Sequence, residues 1–313
     1  MQPSKHKSPR IIVLILNWNG WADTIECVQS VQKSCYPNFG ILVVDNHSDN
    51  DSVQMLKQHL PDIEILQTEQ NLGYTGGNNA GFDHLASADI DYIFVLNNDT
   101  VIDVDCLAAL VDAGETHANS GIIGAFVFSY PPPGEFAYAG LKIPVGREVP
   151  EMAPFHKDDV AHALRTGEVV SVDAAHGCAF AIKKEVLMRV GGFDPAFFAI
   201  HDEVDFSVRV RETGFDVVST PAARVYHKAG ASFGNQSVNR IYYDVRNRAL
   251  YFVNRAQSAN TKLSAQFWRR YIIHGVGRVT KLIARRDSAA AKAVFWGTLD
   301  GIRGKGGKRQ AHH

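Results

Sequence analysis

An open, doubly wound α/β sheet with mostly parallel strands is the fold class this sequence predicts, and three observations predict it. Short apolar runs of strand type alternate with segments of helical spacing through much of the chain. Those runs are apolar throughout rather than at every second residue, as in strands buried on both faces. Several of them end abruptly in polar residues, at Asn17, Asp45, Asn97 to Asp99 and His227. The carboxyl ends of strands are where open α/β sheets build ligand sites.

Ile11 to Leu16 is the first buried strand, followed by the loop Asn17-Trp18-Asn19-Gly20. Asp23 to Lys33 has helical spacing, with Ile25, Val28 and Val31 on one side. Ile41 to Val44 is the second strand and runs into Asp45-Asn46-His47-Ser48-Asp49. A helix over Ser52 to His59 stops before Pro61, and Ile63 to Leu66 is the third strand. The glycine-rich run Asn71 to Gly81 opens a helix toward Leu85, and the strand Tyr92 to Leu96 delivers Asn97-Asn98-Asp99-Thr100. Leu107 to Asn119 is expected to be helical and Ile122 to Phe128 a strand, before Pro131-Pro132-Pro133-Gly134 breaks the pattern. Tyr138 to Thr166 shows no clear period and is expected to form loops and short strands of a substrate-facing insertion. Val169 to Val172 and Cys178 to Ile182 read as strands, and Lys184 to Val190 as a helix ending at Gly191-Gly192. Asp202 to Thr213 is a helix capped by Gly214, and Phe215 to Val218 and Ala223 to Tyr226 supply the last short strands.

Composition narrows the class. With 313 residues, 45% hydrophobic and 21% charged, the chain suits one large domain or a domain with an appendage. Its four cysteines form no CxxC pair and no zinc spacing, so a reducing cytoplasm is the expected setting. Met1 to Arg10 is polar and basic, and Ile11 to Leu16 is too short for a signal-peptide core. The net charge of −1 hides an asymmetry. From Arg240 onward there are 16 Lys/Arg against 3 Asp/Glu, and before it 16 against 30. An acidic body with a basic tail suggests an anionic partner, either membrane lipid or nucleic acid.

The polar strand ends carry the chemistry. Asn97-Asn98-Asp99 offers hard oxygen ligands of the kind Mg²⁺ or Mn²⁺ takes, ions that usually accompany phosphates. The same residues also make a good turn. Asp45 can accept hydrogen bonds from a base or ribose, or cap the following helix. Gly73, Gly76 and their neighbours through Asn79 let backbone approach a ligand, and the helix they open favours phosphate at its N-terminus. The segment is neither GxGxxG nor a Walker loop, so a bare glycine turn stays open.

Taken in order, Leu16-Asn17-Trp18-Asn19-Gly20, Val43-Val44-Asp45-Asn46-His47-Ser48, Asn71 to Asn79 and Leu96 to Thr100 resemble family 2 glycosyltransferases. The resemblance continues through Gly191-Gly192-Phe193-Asp194, Phe197-Phe198, Asp202-Glu203-Val204-Asp205-Phe206 and His227, covering roughly Ile11 to Leu250. It is strongest to the rhamnosyltransferase-like branch that builds bacterial surface polysaccharides. The resemblance implies a GT-A fold with a mixed, mostly parallel sheet, a nucleotide-diphosphate sugar donor, a divalent cation and inversion at the anomeric carbon. By position it places Asp45 at the base or ribose, with Asn17, Asn46, Gly73, Gly76, Asn79 and Asn98 in the donor site. Asn97 and Asp99 stand at the family's DxD motif, with Asn97 a neutral departure from it, and His227 completes the metal set. Glu203 is favoured as catalytic base with Asp202 second; Asp205 orients the site or caps the helix.

The expected organisation is a disordered N-terminus over 1–10, a GT-A domain over 11–240, a basic helical extension over 241–300 and a disordered tail over 301–313. Tyr242 to Arg248 opens a stretch similar to one that follows the catalytic domain in this branch. Further on, Phe267, Trp268, Tyr271, Ile272, Val276, Val279 and Leu282 intersperse with arginines and lysines, the make-up of a helix lying in an anionic membrane interface. A helix packed on the body with its basic side in water is the other reading. The donor preference is dTDP-rhamnose, with UDP-galactofuranose, UDP-glucose and UDP-galactose open. The acceptor is expected to be a glycan or lipid-linked hydroxyl, met on the cytoplasmic side, at the inner face of the cell membrane. The alternatives are a nucleotide-sugar-binding subunit without turnover and a sugar-nucleotide pyrophosphorylase, which would want a basic glycine-rich loop where Asn17 to Gly20 stand. No motif supports nucleic-acid binding.

Overall fold

The computed structural model describes residues 8–143, 153–154, 157–228 and 237–310. The first half alternates as its sequence pattern requires. It runs β1 (Ile11–Asn17), α1 (Trp21–Gln32), β2 (Phe39–Asp45), α2 (Ser52–His59), β3 (Glu64–Gln67), α3 (Gly73–Leu85) and β4 (Tyr92–Asn97). These four strands lie in the order β3, β2, β1, β4 and are all parallel. Register decides what meets at their carboxyl ends: Asn17 pairs with Asp45, and Leu16 with Asn97.

The second half makes the sheet mixed. It contains β5 (Thr100–Ile102), α4 (Cys106–Thr116), β6 (Ser120–Ser129), β7 (Phe136–Tyr138), β8 (Leu141–Lys142), β9 (Ala153–Pro154), α5 (Lys157–Thr166), β10 (Val170–Ser171), β11 (Ala179–Lys183), α6 (Lys184–Val190), α7 (Asp202–Glu212) and β12 (Asp216–His227). The main sheet runs β10-β12-β6-β11-β4-β1-β2-β3, with β5 on β12 and β7 on β6. β11 is antiparallel to both β4 and β6, whereas β12 and β6 are parallel. Ile11, Val13 and Ile15 pack into one core layer with α1 and α4, while Ile12 and Leu14 pack into the other with α3, α6 and α7. Helices therefore cover both faces, the condition for strands that are apolar at every residue.

Three local expectations need correction. The last two short strands are one, β12, with a register shift between Thr220 and Arg224. Pro221 falls inside that irregularity, where its missing N–H breaks no ladder bond. The insertion expected to hold only loops and strands contains helix α5, with acidic Asp158 and Asp159 in its first turn. Gly73 to Gly81 lies inside α3, so its glycines are helical residues and only Gly73 serves as an opening turn.

Beyond β12 come α8 (Val238–Ser258), α9 (Ala265–Ala284) and α10 (Ser288–Ile302). Ser237, Ser264 and Asp287 cap their N-termini by accepting from Arg240, Phe267 and Ala290 N–H. Val245, Ala249, Phe267, Tyr271 and Val294 form the core between these helices. A Cβ at Gly297 would stand 2.8 Å from the Tyr242 carbonyl oxygen, so only glycine lets α10 lie this close to α8. Phe267 and Tyr271 thus point inward, contrary to a membrane-inserting arrangement of these two aromatics. Past α10 the described residues up to Gln310 do not fit the expected disorder: Gly307 N–H donates to Ala196 O at 2.7 Å, and Arg309 N–H to the Tyr243 hydroxyl at 2.8 Å. At the other end, the Tyr36 hydroxyl donates to Pro9 O at 2.6 Å, which holds residues 9 and 10 against the sheet.

Candidate active site

The strand ends are locked to one another before any ligand is considered. Asn17 donates to Asp45 Oδ1 at 2.7 Å and accepts from the Thr24 hydroxyl at 2.9 Å. The Asp45 carboxylate also accepts from the Ser48 N–H and hydroxyl. Asn46 donates to Gly73 O at 3.0 Å and accepts from Leu72 N–H at 3.0 Å, fixing the approach to α3. Asn98 donates to Thr24 Oγ1 at 3.1 Å. Buried polar groups so paired form a stiff floor, since each lost partner would leave an unsatisfied group.

Above that floor is a cavity of about 590 Å³, lined by Leu16, Trp18, Asn46, Asn71, Tyr74, Asn97, Asn98, Phe198, Asn239, Tyr243 and residues 308–310. Of the predicted donor-site residues, Asn46 and Asn98 line it, as does the predicted metal ligand Asn97. Asn17 and Asp45 lie beneath, with their polar atoms turned to each other. Asn79 is placed elsewhere: it brackets Phe193 through both N–H and C=O, at 2.9 and 2.8 Å, and so holds the Gly191-Gly192 turn. Gly73 has φ +73°, and a Cβ there would stand 2.3 Å from Phe198 O. That close approach joins the start of α3 to the loop before α7, as does Thr75 N–H, which donates to Phe198 O at 3.1 Å. A Cβ at Gly76 would meet Leu72, the residue just before α3.

Tyr74 connects this cavity to the acidic cluster. Its ring lines the cavity, and its hydroxyl donates to Gly177 O. Gly177 in turn makes room for Glu203, whose Cδ would lie 3.3 Å from a Cβ at that position. Asp202 is 1% exposed and accepts from the Thr75 hydroxyl at 3.1 Å. Burial raises Asp202 above the ordinary carboxylate range, against the hydrogen bonds from Glu203, its own backbone and Thr75. Glu203 is only partly buried, and burial followed by the Asp202 charge pushes it up to about 8. Both shifts favour the protonated form, and the two carboxyls titrate as a coupled pair. Asp205 takes no part; Arg209 and Arg255 pair with it at 2.8 and 3.2 Å.

Asp99 and His227 meet at the ends of neighbouring strands, with Nε2 3.1 Å from Oδ1. His176 lies against them, stacked on Tyr138 at 4.4 Å and edge-on to His227 at 6.4 Å. Burial, with His227 and Arg240 nearby, pulls His176 down to about 4, so it is neutral. Cys178 links the two clusters: burial first, then the charges of Asp99 and Glu203, raise its thiol far above the usual range. Asp99 and His227 supply two converging donors suited to Mg²⁺ or Mn²⁺. Among the described residues no group of three His, Cys, Asp or Glu could hold a metal alone.

The loop before α7 carries a feature not foreseen from the sequence. Phe198, Ile200 and His201 all have φ between 64° and 71°, a conformation costly for a β-branched residue. Asn247 of α8 donates to the carbonyls of Phe197, Ala199 and Ile200 at 2.9, 2.6 and 2.7 Å. Arg246 donates to Ala196 and Phe197 at 3.1 and 2.8 Å. His201 closes the set on Asp244 at 3.2 Å. Tyr242 to Arg248 stood out in the sequence, but only folding shows that this stretch grips the loop presenting Asp202 and Glu203.

Comparison with known proteins agrees with this architecture. The chain is 26% identical over 278 residues to the low-salt glycan biosynthesis hexosyltransferase Agl10 of Haloferax volcanii, covering 85% of this chain and 84% of that protein. It is 24% identical to an N-acetylglucosaminyl-diphospho-decaprenol L-rhamnosyltransferase of Mycobacterium tuberculosis, over 64% of this chain and 70% of that one. Among solved structures, the mannosyltransferase PcManGT of Pyrobaculum calidifontis with GDP-Man and Mn²⁺ superposes with a TM-score of 0.58 at 14% identity, over 95% of this chain and 88% of that one. GalNAc-T7 with UDP, GalNAc and Mn²⁺ gives 0.60 at 15%, over 85% and 55%. These two are GT-A glycosyltransferases, and the mixed sheet flanked by helices is theirs. The model of glycosyl transferase family 2 matches residues 12–190, more than half of the sequence, and the chain belongs to that family.

Proposed function

We propose that this protein transfers a hexosyl or rhamnosyl group from a nucleotide-diphosphate sugar to a hydroxyl, with inversion. The observation that carries this reading is the junction at Gly177 and Cys178, which brings Glu203 and Asp99 into one neighbourhood: Glu203 packs at Gly177, and the Cys178 thiol feels both charges. An inverting transfer needs such an arrangement: a carboxylate to take the acceptor proton, facing a site that holds the departing diphosphate. Glu203 is the base because its residue keeps some exposure, whereas Asp202, buried on Thr75, positions it. Asp99 and His227, with Asn97 beside them, would hold a divalent cation whose remaining ligands come from the diphosphate. That cation would stabilise charge on the leaving group. Asn46 and Asn98 shape the wall against which the nucleotide lies, over the Asn17–Asp45 floor.

The relatives include a hexosyltransferase and a rhamnosyltransferase whose named acceptor is a lipid-linked diphosphate. We therefore favour dTDP-rhamnose as donor and a lipid-linked or glycan hydroxyl as acceptor, in surface polysaccharide synthesis. Among the described residues no helix is long and apolar enough to cross a membrane. α9 nevertheless exposes Ile272, Ile273, Val276 and Ile283 beside Arg269, Arg270 and Lys281, a surface fitted to an anionic bilayer.

The test is a panel of nucleotide sugars with Mg²⁺ or Mn²⁺, read first by thermal shift and then by release of nucleoside diphosphate with acceptor present. A donor at about 100 times its dissociation constant adds roughly 2.7 kcal/mol of stability. Binding without any turnover, with acceptors of both kinds, would instead favour a nucleotide-sugar-binding subunit.

A further inference from the structure

Part of the lining of the 590 Å³ cavity lies outside the family-matched part of the chain. Besides Phe198, Asn239 and Tyr243, it is supplied by Lys308, Arg309 and Gln310, which follow α10. The described lining contains two cations and no carboxylate. In a chain with 33 acidic residues, that is a cavity prepared for an anion.

The segment is anchored at several points. Lys305 N–H donates to Asp300 O at 2.9 Å, and Gly307 N–H to Ala196 O at 2.7 Å. The buried Arg246 donates to Gly307 O at 2.6 Å. Arg309 N–H donates to the Tyr243 hydroxyl, and its guanidinium lies 4.7 Å from the Tyr242 ring centroid while donating to Asn239 at 3.1 Å. Gly307 has φ +78°, which turns the chain toward the cavity. Among the described residues neither Lys308 nor Arg309 forms an ion pair with a carboxylate, so neither charge is neutralised, although the Arg309 guanidinium is partly engaged by Tyr242 and Asn239.

We infer that Lys308 and Arg309 bind the diphosphate of the donor, completing a site whose other side supplies neutral amides. The inference rests on the donor reading above and deepens it. At Asn97 the chain carries one negative charge fewer than a strict DxD pair, which weakens its hold on a cation. Two cations from the C-terminal segment would offset part of the same leaving-group charge directly. Arg246 gives the arrangement a second consequence, because it holds both this segment and the Ala196–Phe197 carbonyls before α7. Donor bound at Lys308 is thereby coupled to the loop that presents Glu203.

The experiment measures binding of dTDP and UDP, of the matching monophosphates, and of thymidine and uridine, by calorimetry with and without Mn²⁺. It compares the full chain with Lys308→Ala, Lys308→Glu, Lys308→Arg and a deletion of 306–313. Lys308 is exposed, so its variants should fold even if the deletion does not. The expected result is a diphosphate affinity weakened roughly tenfold in Lys308→Ala and further in Lys308→Glu, with recovery in Lys308→Arg. The monophosphates should lose less and the nucleosides nothing. Diphosphate binding by the full chain that is unchanged in Lys308→Ala and Lys308→Glu would overturn the inference and leave the donor reading intact. No binding of either diphosphate by the full chain would overturn both.

Discussion

His227 Nε2 lies 3.1 Å from Asp99 Oδ1 although 128 positions separate them in the chain. Pairing of β12 with β5 enforces the meeting, with His227 opposite Thr100 and Lys228 N–H donating to Asp99 O at 2.9 Å. On the proposed reading, two ligand-type atoms held at that separation by strand register would share a cation. Asp99→Ala should therefore abolish the Mn²⁺-dependent part of nucleotide affinity and lower transfer by about 10²-fold or more. His227→Ala should show a milder loss of the same kind. Nucleotide titrations with Mn²⁺ and with EDTA decide it; equal affinities in the two for the unaltered chain would rule out the cation.

Glu203→Gln should bind donor normally and lose transfer by about 10²-fold or more. With its carboxyl pushed up to about 8, Glu203 is mostly protonated at neutrality. Rate at low substrate should therefore rise with pH and level off above about 8. The stability effect has a definite sign. The folded protein binds this proton more tightly than the unfolded chain, where the ordinary value is 4.5, so Glu203 costs progressively more stability as pH climbs from 4.5 to about 8. The melting temperature gained by Glu203→Gln should be near zero at about pH 4 and several degrees at about pH 9. A flat difference across that range would contradict the assignment.

Asn247→Ala should cost about 2–4 kcal/mol in urea unfolding, because it leaves the Phe197, Ala199 and Ile200 carbonyls without their donor. Its effect on turnover should exceed its effect on the donor KM, since the loop it holds leads directly into Asp202 and Glu203 and lends the cavity only Phe198. A loss confined to KM would place the loop's role elsewhere.

Gly73→Ala combines a φ of +73° with a Cβ 2.3 Å from Phe198 O. Destabilisation of about 2–4 kcal/mol is expected, against about 1 kcal/mol or less for Gly167→Ala, where nothing lies within 4 Å and only the backbone angle is strained. Chemical denaturation of the two variants side by side checks the contrast.

Ile273→Glu with Val276→Glu should reduce flotation with vesicles of anionic lipid at least several-fold while leaving nucleotide binding unaltered. Ile273 and Val276 are 62% and 57% exposed, so neither change disturbs packing. Flotation that is unaffected, or that is insensitive to salt, would remove α9 from the membrane role.

The parallel half of the fold was legible because its strands are short, apolar throughout and bounded by turn chemistry; α2 and α6 begin and end where the pattern placed them. β5 and α5 were hidden, the first by its three-residue length and the second because its short stripe of Val160, Ala163 and Leu164 spans little more than one turn. Of the site, Asn97 to Asp99, Asp202, Glu203 and His227 were visible as polar residues at element ends. Asn79 was misplaced because a motif quoted as a run becomes a helix, whose successive residues point in different directions. Arg246, Asn247 and Lys308 could not be assigned, since their partners are backbone carbonyls or cavity space far away in sequence. Tyr74 and Thr75 sat inside a quoted motif, but nothing local distinguishes a residue that spans two clusters from one that fills a helix face.

The grip of α8 on residues 196–200 bears on how this enzyme can be cut down for study. The family match ends at residue 190, which leaves outside it the acidic pair, His227 and the α8 groups that grip their loop. A fragment stopping after β12 would take the Asn247 and Arg246 donors from the loop with its three left-handed residues, and the loop would relax toward ordinary φ values. Such a fragment should fold as a sheet and retain affinity for nucleosides, yet be silent as a transferase. A competent fragment is expected to retain α8 and the segment that Arg246 holds at Gly307.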